Sequence, residues 1–482
     1  MNETVNNVQS KDDETDQQRS PVCRLRHGLN ENCLLHVFEY LGESDLKNLC
    51  SMDSYYKELI LKWTIKQKRL NLPGANNLEW FKVFGKSMRK IKLYSGQFIT
   101  TITTIMKYCE PGQLTEIDLS IQDGGGLLKR ADVTDSLLQL TLQAMPYFSN
   151  LRKLRFEAYC DADMRGACTN FLTQISTAAL NLRSVEISQL ELRGNWLENI
   201  RNLGELRIKW KIGSSFDSLF SFLNGKPNLK VFKLIHQLSD VTSVYDCLAE
   251  SCSNLETFSD EDRTLSTHYR HFDDSLTSRY AFFSKFSHLS YVTLTTYTFC
   301  GSDLYYPLVN LATKNLIKLT VATSLSEPIL LSNKVKTEIM RRPLPQFSRL
   351  KTVKFDLSTP SVHDFDEKLV RCDLRCQFLF HFLRQVTSLQ QFELYGPSST
   401  HMYKIVEHLP TIRVLDLSQS HSFEIFKDVT NIVKTVLRSP FRGAGIFHLI
   451  LKDDEKVQFF KKQNDLKDRI NFTFTTRNRW DR

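Results

Sequence analysis

No stretch of eighteen consecutive apolar residues occurs in the 482 residues, so the sequence offers no membrane-spanning helix. The N-terminal residues are polar and acidic and lack the apolar core of a leader peptide, so no secretory signal is expected. The eleven cysteines are odd in number and scattered, and they form no disulfide framework. They are expected to be reduced thiols in the cytosol or nucleus. Glycosylation sequons at Asn2 and Asn471 would go unused in such a compartment. The catalytic signatures Gly-x-Ser-x-Gly and His-Glu-x-x-His are missing. Gly124-Gly125-Gly126 runs into Leu-Leu-Lys-Arg and lacks the Gly-Lys-Ser/Thr that would grip a phosphate, so it reads as a turn. With no nucleophile beside a base, the chain is expected to be non-enzymatic and to need no cofactor.

Two groups carry metal-ligand residue types. His268, His271, Asp273 and Asp274 fall in one long insertion, and Cys372, Cys376 and His381 fall on a helical stretch. Zinc could take such ligands. A solvated polar loop explains the first group equally, and buried core thiols one turn apart explain the second. No metal site is assigned.

The residues that are present describe a globular protein with a large core. Apolar residues make up 41% and charged residues 24%. Lys and Arg number 63 against 54 Asp and Glu, a net charge of +9 that is mild for this length and not gathered into one block. Residues 1–22 carry five acids, two bases and no Leu, Ile or aromatic side chain, and read as a disordered acidic tail.

From Met88 a simple pattern, apolar-x-x-apolar-x-apolar, recurs to the end. It begins as Met88/Ile91/Leu93, Leu114/Ile117/Leu119, Leu151/Leu154/Phe156, Leu182/Val185/Ile187, Leu203/Leu206/Ile208 and Leu229/Phe232/Leu234. It continues as Leu255/Phe258 (Asp260 spoils the third place), Leu289/Val292/Leu294, Leu316/Leu319/Val321 and Leu350/Val353/Phe355. Leu389/Phe392/Leu394, Ile412/Leu415/Leu417 and Ile446/Leu449/Leu451 complete the thirteen. Asn precedes the first Leu at Asn150, Asn181, Asn202, Asn228 and Asn254. Helical patterns lie between, for example Leu137, Leu138, Leu142 and Met145, or Phe171, Leu172, Ile175 and Ala178. A short strand and a return helix at a recurring interval is the signature of a solenoid. One unit cannot bury its own apolar side, so neighbours stack into a continuous core with parallel strands.

Ahead of the repeats, Leu34, Val37, Phe38 and Leu41 recur at helical spacing, and Gly42 can end that helix. Ser44 or Asp45 can cap the next, whose stripe is Leu46, Leu49, Met52, Tyr56, Leu59 and Ile60. About thirty residues of helix cannot bury both stripes alone. A helical hairpin that caps the next domain is one reading of this stretch.

The stretch Leu29 to Ile60 also resembles the F-box. Leu29, Leu34, Leu35, Val37, Phe38, Leu41, Asp45, Leu46, Leu49 and Met52 fall on places of that pattern, while Asn30, Asp53 and Tyr56 stand where Pro, Cys and Trp are usual. Met88 to Leu451 resembles the leucine-rich repeat family, without the Asn or Cys that usually occupies the ninth repeat position. Together these imply an α/β chain: an N-terminal helical F-box-like module followed by an irregular leucine-rich-repeat solenoid with parallel strands on the concave side and helices on the convex side. The expected domains are a tail (1–22), the F-box-like helices (23–61), a helical junction (62–87), about thirteen repeats (88–451) and a charged C-terminal cap (452–482).

The resemblance implies a non-catalytic substrate receptor of a cullin ubiquitin ligase. The first module would dock on the Skp-type adaptor through Leu29, Leu34, Leu35, Val37, Phe38, Leu41, Asp45, Leu46, Leu49 and Tyr56. The repeats would hold a protein substrate. The repeat rule puts Lys153, Arg155, Arg207, Lys209, Lys211 and Lys233 on the concave face, with Tyr291 and Tyr395 further along. These cations are either solvated charges or a surface for an acidic or phosphorylated segment. Two rival functions remain: a repeat scaffold or inhibitor that never meets a ligase, and a nucleic-acid binder. The latter would need Lys and Arg on one face with stacking aromatics, and is not expected.

Overall fold

The computed structural model describes residues 30–38, 40–41, 43–67, 85–95, 98–122, 132–159, 162–188, 196–209, 217–224, 226–236, 241–262, 281–296, 307–311, 315–323, 344–356, 381–397, 406, 411–421, 425–438, 446–452, 460 and 469–475. Outside that set lie Leu29, the 1–22 tail, the glycine run, Lys211, both the His268 group and Cys372/Cys376, and most of the 62–87 junction beyond Gln67.

Three helices come first: α1 (Glu31–Phe38), α2 (Glu43–Met52) and α3 (Ser54–Gln67). The chain then winds through β1 (Lys90–Ser95), α4 (Phe98–Tyr108), β2 (Glu116–Gln122), α5 (Asp132–Phe148), β3 (Lys153–Tyr159), α6 (Ala162–Ala178) and β4 (Ser184–Ser188). It continues with β5 (Glu205–Lys209), α7 (Asp217–Leu223), β6 (Val231–His236), α8 (Thr242–Ser251), β7 (Thr257–Asp262), β8 (Tyr291–Thr296) and β9 (Lys318–Thr323). It ends with β10 (Thr352–Asp356), β11 (Gln391–Pro397), β12 (Val414–His421), α9 (Ile425–Arg438), β13 (Phe447–Lys452) and β14 (Ile470–Thr475).

The fourteen strands form one parallel sheet in sequence order, open at β1 and β14. That winding is the arrangement of a repeat solenoid. Each of the thirteen motif occurrences lies on one of β1 to β13, and β14 is an additional strand beyond them. The inward positions are sealed: Leu154, Leu206, Phe232, Leu319 and Leu415 are at most 1% exposed. Each such side chain contributes about 1.5–3 kcal/mol through burial. The exception to the motif is Ile446, which is exposed, while its neighbour Phe447 is buried in its place.

Helices cover the inward side and stack in order, α4 on α5, α5 on α6, α7 on α8. Where β7 returns to β8, the described part is a 3-10 turn, Ala281–Lys285. Large rings occupy the core there: Phe282 and Phe283 pack on Phe258 at 5.4 and 5.3 Å between centroids, and Tyr245 adds an edge contact to Phe258 at 5.2 Å.

Two repeated devices join neighbouring units. The residue just before each strand offers its carbonyl to two N–H groups of the next unit. Arg89 accepts from Thr115 and Glu116, Thr115 from Arg152 and Lys153, Arg152 from Arg183 and Ser184, and so on to Gln390, which accepts from Arg413 and Val414. A side-chain clasp accompanies this ladder. Asn150 donates its amide to the Gly112 carbonyl at 2.6 Å, Asn254 to Pro227 at 3.0 Å, and Asn315 to Ser287. In each case the Asn one residue before the motif's first Leu reaches the carbonyl two residues before that Leu in the preceding unit. The missing ninth-position Asn is therefore offset by an Asn at the other end of the strand. Gly112 sits at φ +72°, a left-handed turn that favours glycine, and this presents its carbonyl to Asn150.

The seventh unit is where the pattern breaks inward. Asp260 occupies a core position and is fully buried. His236, also fully buried at the end of β6, bonds its carboxylate at 2.9 Å. A polar residue in the apolar place is tolerated because the neighbouring strand supplies its partner.

Candidate partner-binding surfaces

The three N-terminal helices form one site. Asn30, standing where Pro was expected, caps α1: its side-chain oxygen accepts the Cys33 N–H at 2.9 Å. Asp53 lies between α2 and α3 and is not a core residue. Its carboxylate accepts the Tyr55 N–H at 2.8 Å, the capping role for α3. Two of the three departures from the F-box pattern, Asn30 and Asp53, are thus helix-start residues, and the third, Tyr56, is buried within α3.

The expected docking ridge divides. Leu34 and Phe38 are 2% and 1% exposed, turned toward α3, where Phe38 meets Trp63 edge to face at 6.2 Å. Tyr56 and Leu46 are likewise buried, at 1% and 6%. These four hold the helices together, because three short helices need their large side chains for a core of their own. Leu35, Leu41 and Leu49 are half-buried, and Asp45 is exposed. The apolar surface that is available is Val37 (40% exposed), Tyr40 (87%) and Met52 (57%). The periodicity of α1 singles out Val37. Tyr40 follows the end of α1 and sits off the stripe, so helical spacing gives no sign of it.

The outward face of the sheet is the second site. Residues in register across β1 to β6 form a row: Lys92, Asp118, Arg155, Glu186, Arg207 and Lys233. The signs largely alternate, and the charges pair. Asp118 lies 3.7 Å from both Lys92 and Arg155, and Arg155 lies 3.2 Å from Glu186. Arg207 pairs with Glu205 of its own strand through Nε at 2.6 Å, and Glu205 also accepts the Ser184 hydroxyl at 2.7 Å. Lys233 meets Glu261 at 2.5 Å.

Three of the cations singled out in the sequence, Arg155, Arg207 and Lys233, therefore already have carboxylate partners. These three are not free for an acidic ligand. Lys153 is exposed, and Lys209 is half-buried with no ion pair among the described residues. Tyr291 stands outward and 44% exposed, while Tyr395 is on β11 with its side chain outside the described set.

Two of these carboxylates shift in opposite net directions. Burial pushes the Asp118 pKa up, and the nearby Arg155 and Lys92 only partly counter it. At Glu205 burial also pushes up, but the Ser184 hydrogen bond and the Arg207 guanidinium together outweigh it and hold the carboxyl below its usual range.

Among the described residues no group of three or more His, Cys, Asp or Glu could hold a metal ion. Burial raises the thiols of Cys50 to about 11 and of Cys109 and Cys252 to about 12, so these three stay protonated near neutral pH and are poor nucleophiles. No helix among the described residues is long and apolar enough to cross a membrane.

No family model matches the sequence, and no curated protein matches it. Solved structures that match the chain include the complex of Rad7 and Elc1 from yeast, at 15% identity and a TM-score of 0.38, covering 76% of this chain and 86% of that one. The Toll–Spatzle complex of Drosophila is similar at 13% identity and a TM-score of 0.33. That match covers 82% of this chain, which spans about half, 51%, of the other.

Proposed function

We propose that the chain is a non-catalytic receptor subunit of a cullin-type ubiquitin ligase, with α1 to α3 docking on a Skp-type adaptor and the strand array holding a protein substrate. One observation carries the reading: α1 to α3 bury Leu34, Phe38, Leu46 and Tyr56 yet leave Val37, Tyr40 and Met52 in solvent. On this reading the receptor works by proximity, raising the effective concentration of a substrate lysine near the charged ubiquitin carrier.

The test is capture of the adaptor by the full chain. Because Phe38 is internal, a charge there would unfold the module and say nothing about docking. Val37→Asp with Tyr40→Asp instead places charge on exposed positions, where desolvation at an interface costs several kcal/mol. The double variant should lose the adaptor while α1 to α3 keep their hydrogen-exchange protection. Undiminished capture sinks the ligase reading and leaves the alternative, a repeat scaffold or inhibitor working outside any ligase.

A further inference from the structure

The carbonyl ladder before the strands fixes a row of side chains as well as a row of hydrogen bonds. Its first six rungs are Arg89, Thr115, Arg152, Arg183, Gly204 and Lys230. Four are cationic and exposed, and none is acidic. Lys230 pairs with Glu256, on the seventh rung, at 2.7 Å. Arg89, Arg152 and Arg183 have no ion pair among the described residues, unlike the charges of the outward row a few ångströms away. Lys153, exposed beside Arg152, adds to the same rim. The backbone of every rung is held by two hydrogen bonds from the next unit, so the three guanidinium groups spring from a fixed frame.

We infer that this rim is a docking surface for an extended acidic peptide segment. Adjacent strands lie about 4.8 Å apart, so Arg89 to Arg152 is about 10 Å and Arg152 to Arg183 about 5 Å. An extended peptide advances about 3.3 Å per residue and turns alternate side chains to one face, so carboxylates at its first, third and fifth positions share the face toward the rim, each within about 3 Å along the axis of one of the three arginines. Arg suits this role because its planar fork takes a carboxylate through two hydrogen bonds. A nucleic acid fits less well. The positions next to the rim include Glu116 and Glu205, and the rim and adjoining positions of β1 to β6 carry no aromatic side chain for bases to stack on. This inference rests on the reading of the array as the partner-holding part, and it is independent of whether the helices bind an adaptor.

The experiment is a fluorescence-polarisation titration of the full chain, without adaptor, using a labelled Gly/Ser peptide with Asp at its first, third and fifth positions. The same peptide with Asn is the control. The Asp peptide should bind at least tenfold more tightly than the Asn peptide. Its affinity should fall with rising salt. The triple variant Arg89→Ser/Arg152→Ser/Arg183→Ser should lose that preference, while Lys351→Ser, on a later rung of the same ladder, should keep it. Should the triple variant misfold, Arg152→Ser alone should weaken the Asp peptide severalfold and Arg152→Lys should restore part of it. Equal binding of the two peptides, an unaltered triple variant, or displacement of the Asp peptide by a single-stranded oligonucleotide of equal charge overturns the proposal.

Discussion

The N-terminal helices and the strand array solve opposite problems. In the helical module Phe38 and Tyr56 are buried, with Phe38 meeting the half-buried Trp63, and Val37, Tyr40 and Met52 are left outside. In the array, each unit lends its neighbour a surface. The inward positions are sealed, and in the outward row from Lys92 to Lys233 charge pairs with charge. The difference teaches where each region can recognise something. The module offers apolar area, which associates by losing water. The array offers charge, and only charges not already paired with a neighbour are free to select a partner.

The comparison breaks most visibly if the cores are damaged one at a time. Phe38→Ala should cost about 3–5 kcal/mol and Leu206→Ala about 2–5 kcal/mol. Hydrogen exchange after Phe38→Ala should show protection lost in α1 to α3 and kept in β5. After Leu206→Ala the loss should centre on β4, β5 and β6, because repeats support their neighbours first. Protection lost everywhere in either variant would mean the two regions are one cooperative unit.

A smaller effect tests the polar exception within the array. His236→Leu removes one hydrogen-bond partner of the fully buried Asp260 carboxylate, at a cost of about 1–3 kcal/mol. Adding Asp260→Leu restores the apolar motif and should recover much of that loss in denaturant unfolding. A double variant no more stable than the single one would show that the pair is needed for the register of β6 against β7.

The inter-unit clasp should be weaker still. Asn150→Ala removes one hydrogen bond, for about 1 kcal/mol, read as faster exchange at the Gly112 turn. The smallest expected effect is electrostatic. Glu205 has a folded-state pKa below its ordinary value of 4.5, so it adds stability at higher pH that is lost as pH falls through the folded value. Glu205→Gln should flatten that part of the acid limb of a stability-versus-pH curve. Asp118, raised above its ordinary 3.8, acts with the opposite sign: its contribution falls as pH rises through the interval between the two values. Asp118→Asn should therefore steepen the net acid loss.

Much of the array was legible from the chain alone. A strand needs alternating burial and a solenoid needs the same alternation at intervals, so the apolar positions from Met88 to Leu451 marked every strand from β1 to β13. Helical spacing likewise marked the N-terminal helices. Tertiary packing decided which apolar residues of α1 face inward: Phe38 and Val37 are adjacent on one predicted stripe, and only the position of α3 buries one and exposes the other. It also decided which cations are free. Arg155 and Arg152 look alike in sequence, but strand register sets Arg155 within reach of Asp118 and Glu186 and leaves Arg152 on the rim with no described carboxylate. Periodicity is a property of neighbours along the chain, so the sequence holds it. Pairing and exposure depend on groups about 20 to 40 residues apart, brought within a few ångströms only when the units stack.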